Sequence, residues 1–247
     1  GRVEARYAEE EKTQSTPVRD GRVIVNPRAF NDTWSFFTPR FTVDFRATDA
    51  LMIYASAAKG IKAGGFNDGD TRTTPELIYS PEKITSYEAG LKGRFLDDAL
   101  QLTSSIFYYD YSELQKTGIV NNQAVTVNTG KATVSGLELS ARYRVSASGK
   151  LDVSLGLLDA KYKDYTTPNG TDYSGFKLDK TPSTTLNIGY THDWSLASGG
   201  GLRGYVGTKY SSSYVTTDTG SATAPPVQFK QGSFTKSSAS LTYYNAD

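Results

Sequence analysis

Two glutamates are the first residues that could carry chemistry. Glu88 and Glu138 are a pair of carboxylates of the kind that general acid and base hydrolysis requires, and Glu88 also precedes Lys92 by four positions. Each glutamate, however, lies on the charged side of an alternating segment, with no defined nucleophile beside it. We therefore predict that these carboxylates are solvated charges on one face of a sheet, without a catalytic role.

The other chemical motifs also indicate structure. His192 is the single histidine, and a Ser-His-Asp arrangement would have to use it, but no nucleophile elbow accompanies it, so we predict a hydrogen-bonding histidine. Gly199, Gly201 and Gly204 have the spacing of a dinucleotide fingerprint, yet a strand pattern follows where a helix is needed. Residues 67–70 resemble a calcium loop without its distal glutamate. The chain has no cysteine, which excludes disulfides, thiolate metal sites and cysteine nucleophiles. Because the motifs above are better explained as structure, we predict no enzymatic activity, cofactor or metal site.

The segments that hold these residues alternate with a period of two. Residues 84–113 are typical of two strands joined by a tight turn at 96–99, and the first strand has an apolar and a charged face. The apolar face carries Tyr87, Ala89, Leu91 and Phe95, and the opposite face carries Ser86, Glu88, Lys92 and Arg94. Both strands are about a dozen residues long, enough for a tilted strand to cross a bilayer, which takes about 9–11.

The same two-strand unit repeats along the chain. Tight turns centre near Thr48, Asp98, Ser148 and Ser198, one about every 50 residues, and every other connection is long and polar. Short turns would then lie at one rim and long loops at the other, so we predict an all-β, antiparallel, up-and-down transmembrane β-barrel with about ten strands present. A β-propeller has a similar period, but its blades need four short strands each.

Aromatic and charged positions fit a membrane barrel. We predict an aromatic girdle beside the short turns, formed by Phe45, Phe95, Tyr143 and Trp194. We also predict lumen-facing charges, namely Glu88, Lys92, Arg94, Glu138 and Arg142. No apolar run approaches the roughly 18 residues of a transmembrane helix, and the net charge of +1 gives no argument for a nucleic-acid partner.

Several runs resemble a known family. Residues 38–43 (TPRFTV), 53–67 (IYASAAKGIKAGGFN), 81–93 (PEKITSYEAGLKG), 107–111 (FYYDY) and 134–139 (VSGLEL) resemble the barrel of TonB-dependent outer-membrane receptors. The resemblance implies a barrel of roughly 22 strands, plugged by an N-terminal domain. It also implies a location in the bacterial outer membrane, with outer-membrane lipid around the barrel. Such receptors import scarce nutrients, most often ferric siderophores, with energy from the TonB complex.

The chain departs from that pattern by lacking a plug, a recognisable TonB-contact segment and a terminal strand. We therefore expect residues 1–247 to be a single β-barrel segment, whose parent contacts TonB through the missing plug. Two alternatives stay open: a small stand-alone outer-membrane pore or adhesin, and a barrel lipase that uses His192.

The long loops are the expected place for a nutrient ligand, because a rigid wall holds mobile loops at its rim. Cationic, amide and aromatic side chains that could hold an anionic or aromatic chelate gather in and near the first long loop. The predicted ligand-binding residues are Lys59, Lys62, Phe66, Asn67 and Tyr79.

Overall fold

A computed structural model describes residues 1–15, 18–19, 22–23, 29–67, 78–120, 123–167, 170–197, 199–221 and 224–245. Ten long strands form one antiparallel sheet. They are β1 (Arg2–Ser15), β4 (Ala29–Thr48), β5 (Leu51–Lys62), β8 (Glu82–Phe95), β9 (Leu100–Ser112), β12 (Gly130–Arg144), β13 (Gly149–Tyr165), β14 (Thr184–Ser195), β15 (Gly201–Ser211) and β18 (Phe234–Tyr244). None of the described residues belongs to a helix that could span a membrane.

Eight shorter strands pair in four small ribbons outside this sheet. The ribbons are β2 (Val18–Arg19) with β3 (Arg22–Val23), β6 (Gly65–Phe66) with β7 (Ile78–Tyr79), β10 (Gln115–Val120) with β11 (Gln123–Asn128), and β16 (Tyr214–Ser221) with β17 (Ala224–Gln231). Each ribbon lies in a long connection that the sequence predicts as an irregular loop. The prediction missed them because these strands are short, with two to eight residues each, and lie in polar stretches that carry turn residues.

The order of the ten long strands in the sheet follows their order in the chain. This confirms the predicted up-and-down, antiparallel arrangement and the predicted number of strands. Tight turns lie at 49–50, 96–99 and 145–148, where the sequence places them, and the predicted turn centre at Ser198 lies outside the described residues. β14 and β15 pair as far as Ser195 and Gly201, so the connection between them is also short. All four therefore lie at one end of the sheet, and the four small ribbons lie at the other, which we call the long-loop end.

One strand boundary differs from the prediction and one agrees with it. The run of glutamates at positions 9–11 interrupts the alternation and by itself predicts a loop that lasts to about Thr33, but β1 and β4 stay paired as far as Ser15 and Ala29. Main-chain hydrogen bonding holds this ribbon together although its side chains are polar. Pro39, inside a strand pattern, predicts a strand edge, a bulge or a late start. β4 pairs with β1 at Pro39 but begins to pair with β5 only at Arg40, so Pro39 lies on an edge on the β5 side.

One face of the sheet is apolar and continuous from strand to strand. Directly paired residues share a face, so Phe45, Ile53 and Leu91 form one row of this apolar face across β4, β5 and β8. Its side chains are open to the surroundings, with Phe45 65% and Ile106 59% exposed. An exposed apolar surface of this extent marks contact with a lipid or a protein partner.

The opposite, polar face is shaped by aromatic rings that lie over glycines on the next strand. Tyr54 pairs with Gly90, and its ring lies 2.8 Å from where a β-carbon of Gly90 would stand. Phe107 pairs with Gly136 in the same way, with a corresponding distance of 2.7 Å. The glycines give the rings room to lie flat against the sheet, which fixes the register of neighbouring strands.

Replacement of Gly136 by alanine should therefore destabilise the sheet. The new methyl group would overlap the Phe107 ring and the main-chain oxygen of Leu157, which cannot move without breaking the ladder. We expect a loss of about 1–3 kcal/mol in the free energy of unfolding, measured by urea titration in detergent micelles. Gly232→Ala is the control, because a β-carbon there has no atom within 4 Å. Equal stability of the two variants would contradict this packing.

Candidate functional site

The long connections contact one another at the long-loop end, and buried residues gather there. Among the described residues, the hydrophobic core cluster consists of Leu114, Ala132, Tyr162, Tyr165 and Tyr173. The rings of Tyr162 and Tyr165 are 4.4 Å apart, and those of Tyr165 and Tyr173 are 5.7 Å apart. No other layer of described residues packs against the sheet, so this cluster is the packed core that holds the connections in place.

We number the long connections after β5, β9, β13 and β15 as the first to the fourth. The first is joined to the second by Asn67. Its side-chain amide donates to the main-chain oxygen of Thr126 at 2.6 Å, and its side-chain oxygen accepts from the main-chain nitrogen of Thr126 at 2.7 Å. The Gln115 amide adds bonds to the oxygens of Ala63 and Ser80, at 2.9 and 3.0 Å. Asn67 was predicted as a ligand-binding residue, but the structure places it, buried, as a clamp between β11 and the segment after β6.

The second connection is joined to the third by an ion pair. The Lys116 ammonium lies 2.7 Å from the Asp179 carboxylate and 5.3 Å from the centre of the Tyr162 ring. Burial opposes ionisation of Asp179, but the hydrogen bond and positive charge of Lys116 outweigh it and lower the pKa of the carboxyl group. The pair therefore stays charged throughout the neutral and mildly acidic range.

The third connection is joined to the fourth by hydrogen bonds to main-chain oxygens. Lys180, in the left-handed region with φ of 58°, donates its main-chain N–H to the oxygen of Val215 at 2.7 Å. The Gln228 amide donates to the oxygen of Lys177 at 2.8 Å. All four connections that follow β5, β9, β13 and β15 are thus linked in series, each to the next.

An aromatic cluster lies where β4 and β6 meet, and we call it the aromatic platform. It consists of Phe30, Trp34 and Phe66, with ring centres 5.6 Å apart for Phe30 and Phe66 and 6.0 Å apart for Trp34 and Phe66. Lys12 lies 5.8 Å from the centre of the Trp34 ring and donates to the oxygen of Gly64 at 2.8 Å. Phe30 and Trp34 are on the polar face, because β4 alternates and Phe37 and Phe41 occupy the other face.

The structure divides the predicted ligand-binding residues. Phe66 belongs to the aromatic platform. Lys62 lies on the polar face, where it pairs with Glu82 of β8. The Tyr79 ring covers Gly65. Lys59 lies on the apolar face, in the row of Thr85, and so points away from the others. Sequence reasoning missed Phe30, Trp34 and Lys12 because it assigned part of β4 to a loop, although the spacing of Phe30 and Trp34 is a multiple of the strand period.

All five predicted lumen-facing charges lie on the polar face. Three have charged or ring neighbours: Arg142 pairs with Asp152 at 2.7 Å, Arg94 with Asp98 at 3.4 Å, and Lys92 lies over the Tyr54 ring at 5.6 Å. Glu88 accepts a hydrogen bond of 2.7 Å from Tyr54, and Glu138 lies in the same row as Gly90, since both pair with Ser105. The described part of the chain contains no group of three or more histidines and acidic residues that could hold a metal ion.

The predicted girdle residues lie on the apolar face near the tight turns. Phe95 and Tyr143 are both paired with Leu100 and so share a row, while Phe45 and Trp194 are 65% and 47% exposed. His192 lies beside Trp194, and its Nδ1 is 2.9 Å from the hydroxyl of Tyr190. This confirms the predicted hydrogen-bonding role of the histidine.

The family model described as TonB dependent receptor-like, beta-barrel matches residues 3–246. The chain belongs to this family. Among curated proteins it is 26% identical over 169 residues to the Acinetobacter baumannii protein named Probable TonB-dependent siderophore receptor PiuA, covering 64% of this chain and 22% of that protein. It is 30% identical over 123 residues to the Metal-pseudopaline receptor CntO of Pseudomonas aeruginosa, covering 50% of this chain and 16% of the relative.

Solved receptor structures have the same barrel fold. The ferric yersiniabactin uptake receptor FyuA from Yersinia pestis matches 97% of this chain and 34% of its own, with a TM-score of 0.76 and 17% identity. The siderophore receptor PiuA from Acinetobacter baumannii matches 98% of this chain and 34% of its own, with a TM-score of 0.72 and 20% identity. The chain thus corresponds to about a third of these receptors.

Asn67→Ala should loosen the first connection from the second. The main-chain N–H and oxygen of Thr126 would each lose the Asn67 side chain as a partner. We expect this to lower the free energy of local opening by about 1–3 kcal/mol. Hydrogen exchange followed by mass spectrometry should show faster exchange in 123–128 and unchanged exchange in β12 and β13. Thr117→Ala is the control, since its hydroxyl contacts only the Thr126 hydroxyl at 2.8 Å and leaves the Asn67 bonds intact. Unchanged protection of 123–128 in Asn67→Ala would show that the clamp contributes nothing.

Lys116→Met should free the third connection from the second. We expect faster hydrogen exchange in 170–183 and a loss of about 1–2 kcal/mol in the free energy of local opening. The reason is that Asp179 would keep Tyr162 as its one side-chain partner among the described residues. Asp179 has a lowered folded pKa, so its stabilising contribution is complete above its ordinary pKa of 3.8 and is lost as the pH falls through the lower folded value. Wild-type protection of 170–183, corrected for intrinsic exchange, should therefore hold from pH 8 to pH 5. A loss of protection within that range would contradict this assignment.

Proposed function

We propose that the chain is part of the wall of a bacterial outer-membrane receptor that binds a ferric siderophore and imports it with energy from TonB. The observation that carries this proposal is the family match across residues 3–246. Two further facts support it: one relative is named as a siderophore receptor, and one structural neighbour is titled a ferric yersiniabactin uptake receptor.

In this proposal the apolar face contacts outer-membrane lipid and the polar face lines the lumen. The polar face carries all five predicted charges, which would be costly against hydrocarbon but are solvated in a wet barrel interior. Phe45, Phe95, Tyr143 and Trp194 would form part of the interfacial girdle at the periplasmic rim, because short turns are periplasmic in barrels of this kind.

A complete receptor needs more than these ten strands. β1 and β18 are at the two ends of the sheet order, and within the described residues each pairs along one side only. Open edges do not persist in a bilayer, where each main-chain polar group needs a partner. We propose that 1–247 is a single barrel segment of a protein that supplies the remaining strands of a roughly 22-stranded barrel, and a plug that contacts TonB.

The aromatic platform is the proposed contact for the chelate. Its rings lie on the polar face at the long-loop end, where a ligand that enters the lumen from outside would pass them. Aromatic faces stack on aromatic chelating groups, and Lys62 nearby would attract an anionic iron complex. Asn67 and Tyr79 would act indirectly by holding the connection that carries Phe66. We propose no catalytic activity, no cofactor and no nucleic-acid partner.

Deletion and complementation test this function. A strain that lacks the gene should lose uptake of at least one radiolabelled ferric complex from a panel of catecholate, phenolate and hydroxamate chelators. The native polypeptide that contains these residues should restore uptake only when TonB is present. Uptake without TonB, or conduction of small solutes instead, would support a stand-alone pore and overturn the proposal. Adhesion without uptake would support an adhesin.

Phe66→Ala tests the platform. Loss of one stacked ring should weaken binding of the transported ferric complex about tenfold or more, which corresponds to about 1.4 kcal/mol. Binding is measured by quenching of protein fluorescence in detergent. Phe37→Ala is the matched control, because this phenylalanine lies on the apolar face and is 61% exposed. Equal affinities of the two variants would exclude the platform as the ligand contact.

A further inference from the structure

The apolar face carries a groove of ≈ 530 Å³ across β4, β5, β8 and β9. Its floor is small, formed by Ala55, Ala57 and Ala89, which lie next to one another in two rows of the sheet. Its walls are large, formed by Phe41 and Val43 on one side and by Tyr87, Ile106 and Tyr108 on the other, with Tyr87 next to Ala57 in the same row. Small residues between large ones leave a depression in the apolar surface.

Two lysines stand at the long-loop end of this groove, on the same face. Lys59 follows Ala57 by two positions on β5, so the two side chains share the face, about 7 Å apart along the strand. Lys83 pairs with Ile61 and is therefore the diagonal neighbour of Lys59 on β8. Both lysines are exposed, and neither forms an ion pair or hydrogen bond with a described residue.

Other charges on this face do not neutralise the two lysines. Lys161 pairs with Asp159 at 2.9 Å, and the Lys163 ammonium lies 3.4 Å from the Tyr108 hydroxyl. Asp110, in the row of Thr85 and Thr133, is the diagonal neighbour of Lys83 but makes no ion pair with a described lysine. Glu9 and Glu11 also lie on this face, on β1, where they accept hydrogen bonds from Ser35 and Asn31. Lys59 and Lys83 therefore outnumber Asp110 in the described part of this surface.

We propose that this surface binds one lipid that carries phosphate in its head group. An acyl chain would lie in the groove between Phe41 and Ile106, and the phosphate would sit between the ammonium groups of Lys59 and Lys83. Charge complementarity favours this occupant: a protein partner would have to cover a lipid-facing surface, whereas an anionic lipid satisfies both the groove and the cations. The long-loop end is the extracellular end in such barrels, so the lipid belongs to the outer leaflet.

This site lies on the opposite face from the aromatic platform. It depends on the proposed membrane location but not on the proposed ligand, TonB or uptake. Lys59 thereby receives a role different from the ligand contact that the sequence suggests, because its face points toward the bilayer. The outcome of a lipid-binding experiment is therefore separate from the outcome of the uptake experiment.

Native mass spectrometry of the native polypeptide in mild detergent tests the site, with diphosphorylated lipid A and phosphatidylcholine as the two probes. We expect one tightly bound lipid A and much weaker binding of phosphatidylcholine. The double variant K59Q/K83Q should bind lipid A about tenfold less tightly. K161Q is the matched control, since it removes a lysine of the same face that is already paired, and it should leave affinity unchanged.

A second variant distinguishes the contribution of the groove to lipid binding from that of the two lysines. Ala89→Phe fills the floor with a ring that points toward lipid, so the barrel should fold while the affinity for lipid A falls. Binding of phosphatidylcholine as tight as that of lipid A would overturn the proposal, as would equal losses in K59Q/K83Q and K161Q. If lipid A binds normally to K59Q/K83Q and to Ala89→Phe, lipid A binds elsewhere and the assignment is wrong.

Discussion

The main-chain hydrogen-bond ladder across ten long strands is the constraint on which the rest of the structure depends. Because each strand must be bonded to its neighbours, register is fixed along the whole sheet, and register decides which side chains share a face. Phe45, Ile53 and Leu91 lie in one row for this reason, and Glu88, Lys92 and Arg94 of β8 lie together on the other side. A slip of one residue would exchange the faces.

Aromatic rings over glycines help to hold that register. Tyr54 over Gly90 and Phe107 over Gly136 involve residues that pair directly, so a shifted strand would place a β-carbon under the ring. These contacts occur on the polar face, where no second layer of described residues packs against the sheet. They give a single sheet some of the close packing that a hydrophobic core supplies in other β proteins.

The long-loop end differs from the sheet in how it is stabilised. Its connections are held by side-chain amides, by the Lys116–Asp179 pair and by the tyrosine cluster, so it forms a linked layer on top of the wall. The proposed nutrient contact and the proposed lipid contact are both near this end but on opposite faces. A sheet one residue thick can separate two ligands of different chemistry because successive side chains point to opposite sides.

The alternation in the sequence by itself determined the strands, the tight turns and the faces of the sheet, because these follow from a period of two and from local turn residues. It also placed Glu88 and Arg142 on the polar face and Phe95 and Tyr143 on the apolar face. Only the tertiary structure decided the partners at the long-loop end. Asn67 joins Thr126, Lys116 joins Asp179, and Trp34 joins Phe66 across long stretches of chain, and no local pattern encodes such pairs. Lys59 was predicted as an anion contact from its residue type, although the alternation of β5 puts it on the apolar face with Ala55 and Ala57, and its pairing with Thr85 confirms that face.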